Sequence, residues 1–206
     1  MALGAGVLIS SVAFELMDEA YKLGGLDSAS LGLLTGAVAF FLADRAVNRG
    51  GGERRKNSGE KQGGSATAIA IGALMDGIPE SAAIGISLIE GGGVGVALVA
   101  AVFLSNVPEG LSSASGMKRA GKSTAHILAL WSAVTAASAV AALLGYLFLA
   151  GASQDLVAGI QAVAAGAILT MLASTMMPEA YEEGGEIVGI VTTVGFLISF
   201  VLSRLG

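Results

Sequence analysis

The sequence predicts an all-α integral membrane protein with seven transmembrane helices, and three observations carry that prediction. Of 206 residues, 54% are hydrophobic and only 13% charged, fewer charges than a soluble domain of this size carries. The apolar runs are long enough to cross roughly 30 Å of hydrocarbon. Finally, 31 glycines suit the close helix packing of membrane bundles.

The runs fall at 2–23, 28–47, 65–89, 93–117, 123–150, 155–181 and 186–204. The first begins at Met1 with no preceding Lys or Arg, so it reads as a spanning helix rather than a secretory signal. Between the second and third lies "NRGGGERRKNSGEKQGGS", residues 48–65, with the composition of a flexible loop. Nothing marks a second domain, and residues 1–206 are expected to form one transmembrane unit. Nine of the 11 Lys and Arg residues lie in two connections, 45–61 and 118–122. The positive-inside rule makes these cytoplasmic, with the N-terminus inside and the C-terminus outside, in a cell membrane.

Composition also excludes function classes. Cysteine is absent and His126 is the only histidine, which removes disulfides, thiolate metal sites and multi-histidine sites within one chain. A net charge of −5 argues against a nucleic-acid partner, because phosphate binding needs a basic surface.

The chain echoes itself. "AGVLISSVAFELMDEAYKLGG" (5–25) aligns without gaps to "AGAILTMLASTMMPEAYEEGG" (165–185), with nine identities in twenty-one positions. A shorter echo pairs "DGIPESAA" (76–83) with "SNVPEGLS" (105–112). In both cases the two copies lie on helices predicted to run in opposite directions, so the expectation is an inverted repeat about an axis in the membrane plane. A complete repeat of this kind has eight helices, and the pattern lacks one before Met1.

All three prolines, Pro79, Pro108 and Pro178, precede a glutamate. Pro79 and Pro108 lie equally far from the Gly-rich turn near Gly93, which places both Pro-Glu pairs at one depth near the bilayer centre. Asp76 and Glu80 are spaced to share one helix face, as are Ser105, Asn106 and Glu109 next door. Each proline removes a hydrogen bond to the carbonyl four residues earlier, leaving those of Met75 and Leu104 in need of partners. Between Ala66 and Met117 there are four acidic residues and no Lys, Arg or His. Buried carboxylates without a basic partner are protonated, face water or hold a cation. Three at one depth favour a cation, held by Asp76, Glu80, Asn106 and Glu109. The bland reading is protonated carboxyls acting as hydrogen-bond glue between helices.

At these residues the sequence resembles the ZIP (Zrt/Irt-like) family of metal transporters, whose members carry His-Asn-x-Pro-Glu-Gly or close variants on two neighbouring helices. Here the copies read Asp76-Gly77-Ile78-Pro79-Glu80-Ser81 and Ser105-Asn106-Val107-Pro108-Glu109-Gly110. The resemblance implies an eight-helix, three-two-three inverted repeat, here without its first helix, and a two-metal site between the motif helices. It further implies a divalent metal as substrate, Zn²⁺ first with Mn²⁺ or Fe²⁺ as alternatives, no organic cofactor, and a homodimer in the lipid bilayer. Asp76 replaces the family's histidine and Gly77 its asparagine. Ser138 stands where members often place a glutamate on the next helix, so one metal position is expected to be lost.

Glu19 and Glu179 occupy equivalent repeat positions, with Glu15 one turn deeper than Glu19. They are candidates for cation entry and exit, against the commoner role of solvated helix ends. His126 reads as interfacial, and Glu182, Glu183 and Glu186 as an acidic, solvated turn. Two other function classes compete with transport. One is a transport-inactive sensor or scaffold. The other is an intramembrane acid–base enzyme using Glu80 and Glu109, which the lack of a Gly-x-Gly-Asp segment disfavours, so a non-enzyme is expected.

Overall fold

A computed structural model describes residues 1–47, 66–89 and 96–205, and all of its regular structure is helical. The helices are α1 (Ala2–Ser11), α2 (Asp18–Val47), α3 (Ala66–Ser87), α4 (Val96–Arg119), α5 (Thr124–Leu149), α6 (Gln154–Met171), α7 (Met177–Gly184) and α8 (Ile187–Leu205). Two π-helical segments, Val12–Met17 and Leu172–Met176, join α1 to α2 and α6 to α7. Each predicted run is helical within a few residues of its expected bounds. The predicted loop at 48–65 and the turn near Gly93 lie outside the described residues.

Among the described residues four stretches are long and apolar enough to cross a membrane: Ala2–Ala46, Thr124–Leu149, Gln154–Gly184 and Ile187–Arg204. The first, 45 residues long, would reach about 68 Å if straight, at about 1.5 Å per residue, twice the hydrocarbon thickness. It does not stay straight. Gly25 leaves the helical region at φ 69°, ψ −171°, a conformation open essentially only to glycine. The contacts on α6 show the chain reversing there. From Glu19 to Gly24 the neighbours step back along α6, from Gln161 to Ala158, whereas from Gly32 to Gly36 they step forward, from Gly159 to Val163. Seven helical rods result among the described residues, and large apolar side chains such as Leu31, Leu34, Phe41, Leu128, Leu147, Ile190 and Leu197 are exposed on them. That surface suits a lipid solvent.

Backbones meet where glycine removes the side chain. A Cβ on Gly6 would stand 1.8 Å from the Thr192 carbonyl oxygen and 2.7 Å from the Phe196 nitrogen, while one on Gly166 would stand 2.0 Å from Leu33 O and 3.0 Å from Ala37 N. The same holds for Gly36 against Val163 O, at 1.9 Å, and Gly195 against Leu3 O, at 2.1 Å. Thus α1 packs on α8, and α2 on α6, through matching contacts. On the flank, α5 packs on α3, with Gly85 against Ala142 O. The core gathers Leu8, Val12 and Leu16 with Leu98, Ala101, Ile168, Met171 and Leu172, so α1, α4, α6 and both π-helical segments surround the centre of the molecule.

Candidate functional site

α3 and α4 are 22 and 24 residues long, and Pro79 sits inside α3. Their Ala- and Gly-rich sequences let neighbouring helices come close: Gly4 of α1 lies so near α4 that a Cβ there would stand 2.6 Å from Ser105 Cα. Between the two helices the structure buries Glu80, only 2% exposed. Asn106 Nδ2 donates to Glu80 Oε2 at 2.9 Å and to Val102 O at 2.8 Å. Both amide N–H donors therefore have acceptors, and Asn106 Oδ1 keeps its lone pairs. The bond joins the first Pro-Glu motif to the second, so these two predicted site residues do come together at one level of the bundle.

The other predicted residues divide. Asp76 and Glu109 lie on α3 and α4, but their side chains, like that of Met75, lie outside the described residues. Ser105 is 2% exposed, donates to Val102 O at 3.0 Å, and presses its backbone on Gly4 of α1. The Leu104 carbonyl also meets α1, lying 3.1 Å from where a Gly4 Cβ would stand. The carbonyl that Pro108 deprives of its helical partner is thus crowded by a third helix. Gly77 is buried, and a Cβ there would approach Ser138 Oγ of α5 to 3.1 Å. The two positions at which the motif lacks the expected ligands are therefore neighbours in space.

A second polar group forms where the first π-helical segment meets α6. Glu15 belongs to that segment and Glu19 to the first turn of α2. The extra residue of a π-helical turn interrupts the regular hydrogen-bond ladder, a feature frequent at functional sites. Gln161 of α6, 1% exposed, donates through Nε2 to Glu19 Oε2 at 2.5 Å. Glu15 accepts from the backbone N–H of Leu98, near the start of α4. Sequence reasoning named Glu15 and Glu19 but missed Gln161, whose signal was a lone amide in the apolar run "DLVAGIQAVAAGAILTM". Glu179 sits on α7, the counterpart of Glu19 160 residues on. His126 is exposed, and its backbone N–H donates to the helix-capping Ser123. Glu182, Glu183 and Glu186 are exposed as expected.

Among the described residues no three of His, Cys, Asp or Glu stand together as a metal-binding group. Tested against models of protein families and against curated proteins, the sequence matches none.

Proposed function

We propose that the chain carries a divalent transition metal across a membrane, in the manner of the ZIP-like transporters it resembles. The observation that supports this most is the Glu80–Asn106 pair. A buried carboxylate and a carboxamide from the two Pro-Glu motifs meet between α3 and α4, in a stretch of sequence with no basic residue. The cation would bind Glu80 and Asn106 Oδ1, with Asp76 and Glu109 completing the shell. Such an oxygen-only set accepts Zn²⁺ and suits harder ions such as Mn²⁺ at least as well. The contact of Gly77 with Ser138 favours one metal position over two. It also supports a second reading, a metal-binding relative that senses rather than transports.

The matching halves support an inverted repeat of seven crossings. The π-helical segments start 160 residues apart, the positive-φ glycines Gly25 and Gly185 are separated by the same interval, and the four glycine contacts described above form two equivalent pairs. On this reading Glu19 lies toward the outside and Glu179 toward the cytoplasm. Rocking of α1–α8 and α2–α6 against α3–α4 then exposes the site to each side in turn. A homodimer in the cell membrane, with its N-terminus cytoplasmic, completes the proposal.

Ligating carboxylates must be deprotonated, so binding weakens as the medium acidifies and releases protons wherever the empty site held them. Equilibrium Zn²⁺ titration of the purified protein at neutral and acid pH is the test. Glu80→Gln should weaken binding by roughly tenfold or more and reduce its pH dependence. Unchanged affinity in that variant would refute the site.

A further inference from the structure

The group around Gln161 is a site in its own right. Glu15 and Glu19 are close enough to repel each other, yet among the described residues neither faces a buried cation. Lys22, the nearby positive charge, is exposed and pairs with Asp18 at 2.6 Å. Gln161 is buried and its Nε2 is spent on Glu19. Its Oε1 is buried with no hydrogen-bond partner, and so is Glu15 Oε1. A buried acceptor without a donor costs about 1–3 kcal/mol, and here two such atoms belong to residues that interact with Glu19, whose carboxylate already has its amide donor. A single N–H or O–H would satisfy only one of them, whereas one cation can take both oxygens as ligands.

We propose that Glu15, Glu19 and Gln161 form a second cation site, separate from the Glu80–Asn106 pair, that takes a divalent ion through oxygen ligands alone. The two carboxylates supply charge, Gln161 Oε1 supplies a neutral ligand, and water fills the remaining positions, as is common for hard divalent ions. The elements explain the arrangement. The π-helical segment carries Glu15 and leads directly into Glu19, α6 brings Gln161 across, and the first turn of α4 anchors Glu15 through Leu98. The site stands whether or not the α3–α4 pair binds metal.

The test is Mn²⁺ titration of the full chain in lipid nanodiscs, with free Mn²⁺ read by electron paramagnetic resonance. The wild type should bind two ions per chain, and Glu80→Gln should retain the one assigned here. Gln161→Leu and Glu19→Gln should each weaken that ion by roughly tenfold or more. Gln161→Glu should retain or tighten it, because a carboxylate oxygen replaces the amide oxygen, and this rescue separates ligand loss from misfolding. If Glu80→Gln abolishes all binding, the second site does not exist. Wild-type affinity in Gln161→Leu, or identical behaviour of Gln161→Leu and Gln161→Glu, would also overturn it and leave a protonated carboxyl network. Unchanged binding in Glu80→Gln alongside losses in Gln161→Leu would sink the α3–α4 reading and leave this site standing.

Discussion

Residues 2–47 and 154–205 are alike in backbone and unlike in chemistry. Each holds a helix interrupted by a π-helical segment, followed by a glycine at positive φ, Gly25 at 69° and Gly185 at 61°, and then a second helix. Each first helix presses a glycine into the other half's second helix. The acidic residues differ. Where the first half has Glu15 and Asp18, the second has Thr175 and Pro178, and within the echo of 5–25 and 165–185 the one shared acidic position is Glu19 and Glu179. Phe14 packs with Phe196 and Phe200 beneath Arg204, while its counterpart is Ser174, which offers no ring. The lesson is that the shared features are those that set backbone approach and chain reversal, whereas polar side chains such as Glu15 and Asp18 belong to one copy alone.

The comparison breaks most visibly at the glycine contacts. Gly6→Leu and Gly166→Leu should both be severe, because a side chain at either place would drive into a facing carbonyl. Overpacking alone costs about 1–3 kcal/mol, and more where backbone must move. Both variants should lose the monodisperse peak in detergent chromatography, while Gly159→Ala and Gly189→Ala, which meet nothing within 4 Å, should keep it. A harmless Gly166→Leu beside a damaging Gly6→Leu would show that the two halves pack by different means. A smaller effect is expected at the reversals. Gly25→Ala and Gly185→Ala meet open space, so only backbone strain of about 1–3 kcal/mol applies, and thermal unfolding should fall by similar amounts in the two. A fall confined to one of them would mean that only that reversal is under strain in the folded protein.

Much of this was legible in the sequence, for physical reasons. Hydrophobic run length located the helices because a chain in lipid must satisfy its backbone bonds within each segment. The E-A-Y-x-x-G-G echo, read from the sequence as a repeat, ends in both copies on a positive-φ glycine, Gly25 and Gly185, because only glycine adopts that backbone readily. Pro-Glu spacing brought Glu80 and Asn106 to one level, since the two motifs are almost equidistant in sequence from Gly93. The π-helical segments were not legible, because an inserted turn leaves no compositional trace and shows only when the two copies are compared in three dimensions. Gln161 escaped because its partner, Glu19, lies 142 residues away and no local pattern links them. The crowding of the Leu104 carbonyl by Gly4 escaped for the same reason: proline reveals which carbonyl loses its bond but not which helix comes to lie beside it.

Transport through the α3–α4 site is tested by Zn²⁺ uptake into proteoliposomes by the wild type and by Glu80→Ala, with both proteins matched for folded material by chromatography. Saturable uptake is expected of the wild type, and a fall to the level of empty liposomes in Glu80→Ala. Equal uptake by the two proteins, or none by a wild type that binds Zn²⁺ in titration, would contradict transport through the α3–α4 site.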